Sequence, residues 1–265
     1  MHWLSGDAYV PVDDRGLNYG DGLFETMYCV GGRIPFLDLH MQRLARGATA
    51  LRIAGIDCER IAKRLTRGIA QQTDAEGWLK LTITRRSSAR GYAPSEDVSP
   101  RIIVRHGPLS LDDAPLRVRI CQARLPFDPQ LAGIKHLNRL PQVMAAQELG
   151  GEIGVEGLMC DHHGSVVCGI MHNVFIVTDN QLLTPALEAC GVAGVMRQWV
   201  IETASAGSVE IGSISVAQLR AADEIILTNA VRGIRSASHL ADHRLPSASP
   251  VADALRDQLS ARRTA

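Results

Sequence analysis

The chain has 265 residues, of which 46% are hydrophobic and 21% are charged, and its formal net charge at pH 7 is zero. This balance predicts a globular protein of one large or two modest domains. It argues against nucleic-acid binding, which favours a basic surface, and no apolar run approaches the roughly 18 residues of a membrane span.

The first residues, "MHWLSGDAYV", lack the charged and apolar regions that make up a signal peptide. The cysteines are scattered and contain no CxxC pair. We therefore expect a cytoplasmic protein whose thiols are reduced and mostly buried. The six cysteines are Cys29, Cys58, Cys121, Cys160, Cys168 and Cys190.

Strands and helices alternate in the first half of the chain. The segment 22–30 is strand-like, Gly31-Gly32 predicts a tight turn, and "RIPFL" predicts a returning strand. Apolar residues from Leu37 to Leu51 recur at spacings of four and three, which predicts an amphipathic helix, and a second helix follows from Cys58. The alternating segment "WLKLTIT" and the segment "RIIVRH" predict two further strands.

A Pro-, Asp- and Ser-rich stretch, "GPLSLDDAPL" at 107–116, separates this half from the rest. Beyond it we expect a strand at "RVRIC", a helix within 137–149, hairpin turns at 161–164 and 179–180, and a strand at "EIILTN". Helices are predicted at "GVMRQWVIETASA" and, with a capping box, at "SVAQLRAAD". We assign residues 1–108 to an α+β domain, 109–116 to a linker and 117–265 to a more β-rich domain.

Lysine is scarce in this chain, because only Lys63, Lys80 and Lys135 accompany 25 arginines. Arginine stays protonated, whereas a desolvated lysine can lose its proton and attack a carbonyl to form a Schiff base. We interpret Lys63 and Lys80 as ordinary surface cations. Lys135, within "GIKHLNRLPQV", is the candidate for chemistry, and a solvated charge is the alternative interpretation.

Three further stretches are unusually polar or rich in glycine. "DDRGLNYGDGLFET" is either a surface loop or part of a site, and "SSARGYAPS" is either a loop or a lid whose Arg90 could hold a carboxylate. "GVAGVMRQ" puts glycines just before a helix, where backbone amides can bind a phosphate.

The sequence does not support a metal site, a catalytic serine triad or a nucleotide-binding loop. The cysteines and histidines between 160 and 172 do not have the spacing of a tetrahedral metal site, so we expect no metal. The chain lacks a GxSxG elbow, a P-loop and a GxGxxG turn after a strand.

Taken in order, seven stretches resemble the fold-type IV enzymes that depend on pyridoxal phosphate (PLP), and the resemblance spans residues 14 to about 235. The group includes D-amino acid and branched-chain aminotransferases and aminodeoxychorismate lyases, and "AGIKHLNRL" is most similar to the lyase branch. The resemblance implies an α/β (α+β) fold of two domains, a smaller α+β domain and a larger barrel-like one. The stretches are "DRGLNYGDGLFET", "HMQRL", "ARGY", "GIKHLNRL", "HNVF", "GVMRQ" and "ADEIILTNA".

The resemblance also implies roles for individual residues. Lys135 corresponds to the catalytic lysine that binds PLP as a Schiff base. Four regions would hold the cofactor through its phosphate or ring, and two further stretches would face the substrate. The cofactor set is Arg43, Lys135, Cys168, Gly194, Val195, Asn229 and Ala230, and the substrate set is Asn18, Tyr19, Arg90 and Tyr92.

Cys168 departs from the family's pattern. Similar proteins read E-G-x-x-x-N-[LV]-F, with the glutamate at the pyridine nitrogen, whereas this chain reads "CGIMHNVF". A thiol, with a reference pKa near 8.5, is a poor partner for a pyridinium. Because a lyase that forms an aromatic ring needs less electron withdrawal than a transaminase, the cysteine favours lyase chemistry.

The resemblance therefore implies conversion of 4-amino-4-deoxychorismate to 4-aminobenzoate and pyruvate by a homodimer acting on a small molecule. Two alternatives remain open. One is a D-amino acid or branched-chain aminotransferase of the same fold. The other is a non-catalytic relative that has lost PLP and serves as a binding subunit.

Overall fold

The computed structural model describes residues 2–4, 9–72, 76–86, 91–94, 99–109, 114–204 and 209–264. The chain forms two compact units, Met1–Ser110 with Ile134–Asn138, and Leu111–Gly133 with Arg139–Ala265. The segment 134–138, which contains Lys135, packs with the first unit, although the boundaries predicted from the sequence put it in the C-terminal domain.

In the described part of the first unit, a four-stranded sheet has the order β1-β4-β3-β2 and is antiparallel except for the β1–β4 pair. Helices α2 and α3 supply the apolar residues that face it. The elements are β1 (His2–Leu4), α1 (Arg15–Tyr19), β2 (Gly22–Val30), α2 (Leu37–Ala50), α3 (Cys58–Ile69), β3 (Glu76–Thr84) and β4 (Arg101–Pro108).

The core of this unit follows from the alternation in β3. Leu79, Leu81 and Ile83 are fully buried, whereas the residues between them are half-buried, as the sequence predicted. Leu44 of α2 and Leu65 of α3 belong to the same apolar cluster. Burying these side chains accounts for the position of both helices on one face of the sheet.

The strand predicted at "RIPFL" is wrong. Gly31 and Gly32 do form the tight turn, with φ of 54° and 70°, but only Val30 and Arg33 pair across it. Pro35 has no N–H for a sheet ladder, and the chain turns at Phe36, with φ of 60°, before α2 begins. The partner of β2 is β3 instead.

In the described part of the second unit, a nine-stranded sheet has the order β10-β9-β8-β11-β12-β5-β6-β7, with β13 paired to β12. Three pairs, β9–β10, β5–β12 and β5–β6, are parallel. The elements are β5 (Leu116–Arg124), α4 (Leu140–Glu148), β6 (Val155–Cys160), β7 (Val166–Gly169), β8 (Asn173–Thr178), β9 (Gln181–Pro185), α5 (Val195–Thr203), β10 (Val209–Gly212), α6 (Val216–Ala221), β11 (Glu224–Asn229), β12 (Gly233–Leu240), β13 (His243–Arg244) and α7 (Pro250–Thr264).

This sheet curls so that its two ends approach each other. The Val166 N–H of β7 donates to the Ile214 carbonyl, two residues beyond β10, at 2.8 Å. The barrel-like character expected of this unit is therefore confirmed by its strand order and this bridge.

Both predicted hairpins are present. The β8–β9 turn has Asp179 and Asn180 at φ of 51° and 61°, the left-handed pair that a two-residue hairpin turn requires. In the β6–β7 turn the Asp161 carboxylate accepts the N–H groups of His163 and Ser165. The capping box at Ser215 is confirmed as well.

The predicted linker is only partly described. Its first residues, Gly107 and Pro108, end β4, Leu116 begins β5, and residues 110–113 lie outside the described part. Among the described residues, no helix combines the length and apolar character of a bilayer-spanning segment.

Candidate active site

Lys135 lies on a short segment that pairs with the edge of β2. The Phe24 N–H donates to the Lys135 carbonyl at 3.0 Å, and the Leu137 N–H donates to the Gly22 carbonyl at 3.0 Å. Ile134 belongs to the core of the first unit, which anchors the segment. The Lys135 side chain is half-buried, and its Nζ lies 4.3 Å from the centroid of the Phe24 ring. The amine is thus held in a partly desolvated position.

A buried cluster of charged and polar side chains lies between β2 and α2. Glu25 accepts hydrogen bonds from Arg43 Nε at 2.8 Å and from Arg43 Nη2, and its Oε2 lies 2.6 Å from His40 Nδ1. Glu25 and His40 are 1% exposed and Arg43 is 6% exposed. Arg43, the predicted phosphate ligand, is therefore oriented by a carboxylate within its own unit.

The charges in this cluster are strongly coupled. Burial alone would raise the pKa of Glu25, but the charge and hydrogen bonds of Arg43 and His40 outweigh burial and lower it to about 2. Burial, opposed by Glu25 and assisted by Arg43 and Lys135, lowers the pKa of His40. We infer that Glu25 is ionised and that His40 is neutral near pH 7, with its Nδ1–H donating to Glu25.

Two carboxylates of the segment "DRGLNYGD" accept hydrogen bonds from residues at the end of β3 and the start of β4. Asp14 accepts hydrogen bonds from Thr84 Oγ1, at the end of β3, and from Arg101 Nε, at the start of β4, both at 2.9 Å. Asp21 accepts from Arg15 Nε and from Arg85 Nε. Asp14 thus joins the end of β3 to the start of β4, and Asp21 joins Arg15 to Arg85, the residue that follows β3.

Arg15 extends this network to the predicted substrate loop. Its Nη1 and Nη2 donate to the carbonyls of Gly91 and Tyr92 at 3.0 and 2.6 Å. Tyr92 is 85% exposed, and its ring lies 5.3 Å from that of Tyr19. Arg90, the carboxylate ligand expected in this loop, lies outside the described residues.

Asn18, also expected on the substrate side, makes local contacts through its amide nitrogen. Its Nδ2 donates to the carbonyls of Val12 and Asp14 at 3.0 and 3.2 Å. These bonds fix the turn that leads into α1.

The second unit places a helix N-terminus at the predicted phosphate residues. Gly194 precedes α5 and offers no side-chain cap, so the first N–H groups, beginning with Val195, can bind an anion. A Cβ on Gly194 would meet Asn173 Oδ1 at 2.0 Å, so any other residue here would displace the buried Asn173 side chain. Asn173 itself donates to the Val192 carbonyl at 2.9 Å.

The predicted second phosphate turn follows β11 in the same unit. Asn229 Oδ1 accepts the N–H groups of Val231 and Arg232 at 3.1 and 2.7 Å. Arg263 of α7 donates to the carbonyls of Ala230 and Val231. The buried Thr228 Oγ1, next to this turn, has no hydrogen-bond partner among the described residues. The Thr228 hydroxyl could therefore donate to an oxyanion bound at this turn, whereas the Val231 and Arg232 N–H groups are already used by Asn229.

Cys168 lies in an apolar cluster of the second unit and is 6% exposed. Burial lowers the pKa of Arg139 to about 10, and an electrostatic contribution from Cys168 opposes that effect. Next to Cys168, Gly169 packs against the buried carboxylate of Glu156, which accepts the Met171 N–H at 3.0 Å and lies 2.9 Å from His172 Nδ1. The thiol therefore has a cation near it and a fixed turn after it.

Sequence reasoning missed several of these residues. His40 could have been found because it lies three residues before Arg43 on the same helix face. Arg139 and Glu156 gave no local signal. No group of three metal-binding side chains is placed to hold an ion in the part of the chain that the structure describes.

Comparison with known proteins identifies the family of the chain. The model of "Amino-transferase class IV" matches residues 22–240, most of the chain. The chain belongs to the class IV aminotransferase family. It is 30% identical over 247 residues to aminodeoxychorismate lyase of Vibrio harveyi, with 90% of each chain covered. A putative branched-chain-amino-acid aminotransferase of Methanocaldococcus jannaschii is 29% identical, with 84% of this chain and 79% of the relative covered.

A solved class IV structure is similar over nearly the whole chain. It is the crystal structure of 4-amino-4-deoxychorismate lyase from Pseudomonas aeruginosa, with a TM-score of 0.87 and 38% identity. The alignment covers 97% of this chain and 96% of that one. The cofactor of the family is PLP. The half-buried Lys135 amine and the uncapped N-terminus of α5 are groups that suit its aldehyde and its phosphate.

Proposed function

We propose that this class IV protein is a PLP-dependent lyase that converts 4-amino-4-deoxychorismate to 4-aminobenzoate and pyruvate. The observation that carries the proposal is the Lys135 amine, held by pairing with β2 over the Phe24 ring, in a chain 38% identical to the Pseudomonas aeruginosa lyase. The lysine has the chemistry that the reaction needs, because an amine can both form an imine and carry a proton.

Each residue set has a distinct task in this reaction. With PLP bound, Arg43, Gly194, Val195, Asn229 and Ala230 would hold the phosphate, and Cys168 would be the partner of the ring nitrogen. PLP, when bound, withdraws electrons from the substrate's amine-bearing carbon. Lys135, as a neutral amine, removes the proton from that carbon. The enolpyruvyl group then leaves, takes up a proton and becomes pyruvate, while the ring becomes aromatic.

The aromatic product supplies much of the driving force, so this lyase tolerates a weak partner at the ring nitrogen. A transaminase must instead stabilise a carbanion until it is protonated elsewhere. Cys168 in place of a carboxylate therefore favours the lyase over the aminotransferase, which is the second candidate because of the relative from Methanocaldococcus jannaschii.

We further propose that the protein works as a homodimer in the cytoplasm, with the Asn18, Tyr19, Arg90 and Tyr92 region on the substrate side. The exposed Tyr19–Tyr92 pair, fixed by Arg15, supports a surface that contacts another molecule. Light scattering of the purified protein tests the dimer.

One experiment separates the candidate functions. Purified protein with PLP is given 4-amino-4-deoxychorismate without any keto acid, and 4-aminobenzoate and pyruvate are measured. The lyase is expected to form both in equal amounts. Turnover that requires a keto acid would identify an aminotransferase, and a protein without the visible absorbance of bound PLP would be the non-catalytic relative.

A further inference from the structure

Lys80, the second of the three lysines, shares an aromatic ring with Lys135. Its Nζ lies 5.1 Å from the Phe24 centroid, and Lys135 Nζ lies 4.3 Å from the same point. The interpretation of Lys80 as an ordinary surface cation is wrong, because its side chain is half-buried on the sheet. That interpretation suits Lys63, which is 65% exposed and pairs with Glu59 on α3.

The surroundings of Lys80 are cationic. In the sheet register Lys80 lies between Thr26 of β2 and Arg105 of β4. Burial, and then the charge of Arg105, lower the pKa of Lys80. Among the described residues, no carboxylate lies within ion-pair distance of Lys80 Nζ. A half-buried cation without a counter-ion, beside a second cation, attracts an anion.

The distance to Lys135 limits what that anion can be. An amine that reacts at Lys135 must stand over or beside Phe24, so the neighbouring groups of the same molecule come within reach of Lys80. The substrate named above has two carboxylates, one on the ring and one on the enolpyruvyl group. An ammonium group makes charge-assisted hydrogen bonds to a carboxylate, and these are among the strongest in proteins.

We propose that Lys80, on the sheet face shared with Phe24 and Arg105, is a carboxylate-binding residue that selects a cyclic dicarboxylate substrate. This inference rests on the proposed lyase function and adds the residue that recognises the substrate's charge. Lys80 binds and orients the substrate, while Lys135 performs the chemistry. An anion bound at Lys80 also offsets the burial that disfavours its ammonium form.

The test compares Lys80→Met, Lys80→Arg and the control Lys63→Met. The probe is chorismate, which has both carboxylates but a hydroxyl in place of the reacting amine, so its binding to the holoenzyme reports recognition without turnover. Its Kd is measured by calorimetry, the KM and kcat for 4-amino-4-deoxychorismate by product formation, and the Kd of PLP by titration of the apoprotein.

Lys80→Met is expected to raise both the chorismate Kd and the substrate KM by about tenfold, equivalent to about 1.4 kcal/mol, with the PLP Kd unchanged. Lys80→Arg keeps the charge and should stay within about threefold of wild type, and Lys63→Met should match wild type. Lys80→Gln provides a second neutral variant in case methionine on this face prevents folding.

Two results would overturn the inference: a Lys80→Met protein whose chorismate Kd and KM stay within about twofold of wild type, or one whose affinity for PLP falls as much as its affinity for chorismate. The second would mean that Lys80 supports the cofactor or the sheet. A wild-type protein that binds PLP and chorismate but releases no 4-aminobenzoate contradicts the proposed function alone. Chorismate binding then still decides the role of Lys80.

Discussion

Glu25 holds Arg43 by the Nε edge of its guanidinium group, with one carboxylate oxygen on Nε and the other on Nη2. The Nη1 atom is on the opposite side of Cζ and is directed away from the carboxylate. Because both residues are buried, the pair has a single orientation. Arg43 therefore approaches any ligand from a direction that Glu25 sets.

Removing Glu25 should destabilise the protein strongly. In Glu25→Ala the buried guanidinium loses this carboxylate, and breaking such a pair costs about 3–5 kcal/mol. Glu59→Ala is the control, since Glu59 pairs with Lys63 on the surface, where an ion pair contributes about 0–1 kcal/mol. Urea unfolding of the apoproteins measures both. Equal small losses would show that Arg43 finds another counter-charge.

The contribution of Glu25 should depend on acid pH. Its folded-state pKa of about 2 lies below the reference value of 4.5. The stabilisation is therefore fully present above the reference value and is lost as pH falls toward 2. The difference in unfolding free energy between wild type and Glu25→Gln should stay constant at neutral pH and shrink on acidification. A difference that does not change over this range would argue against ionised Glu25.

Lys135→Ala and Lys135→Arg should both lose the visible absorbance of covalently bound PLP and nearly all turnover. Alanine has no amine, and arginine does not deprotonate to act as one. Lys63→Arg is the control and should be fully active. Activity above about a tenth of wild type in either Lys135 variant would refute the Schiff-base role.

Arg43→Ala should weaken PLP more than pyridoxal, which lacks the phosphate. Losing a charge-assisted contact costs about 1.5–3 kcal/mol, so the preference for PLP should fall at least tenfold. The ratio is informative because unpaired Glu25 will also lower overall stability. Arg46→Ala, an exposed change on the same helix, should leave the ratio unaltered. An unchanged ratio in Arg43→Ala would mean that Arg43 serves only Glu25.

Cys168→Glu should tighten PLP and raise slow transamination of amino acids, because a carboxylate can stabilise a protonated pyridine. Cys190→Glu is the matched control, since Cys190 belongs to the same buried apolar cluster. A glutamate buried there without a partner costs several kcal/mol. If Cys168→Glu also unfolds more readily and binds PLP no better, the thiol is a packing residue and does not face the cofactor.

Local sequence signals predicted the elements well. The alternation in β3, the Asp179-Asn180 turn and the capping box at Ser215 each depend on residues within one element or one turn. The strand expected at "RIPFL" failed for a local reason too, since Pro35 and the left-handed Phe36 end the pairing. Elements without strong periodicity, such as β10, were not predicted.

The sequence predicted a site residue only where that residue belongs to a motif with a known function. Lys135 and Arg43 were named from their motifs, but the Glu25 contact that orients Arg43 needs the packing of α2 on β2. Arg15 reaches Gly91 across 76 residues, and no pattern in either motif indicates that pairing. Lys80 was interpreted as a surface cation because it lies at a polar position of an alternating strand. Its neighbours Thr26 and Arg105 are known only from the sheet register.

The five residues 134–138 also determine where the protein can be truncated. A fragment that ends at residue 110 contains the four strands of the first sheet. It lacks the segment that pairs with the edge of β2, and its core lacks Ile134. Open, apolar-backed edges recruit other strands, so such a fragment should aggregate.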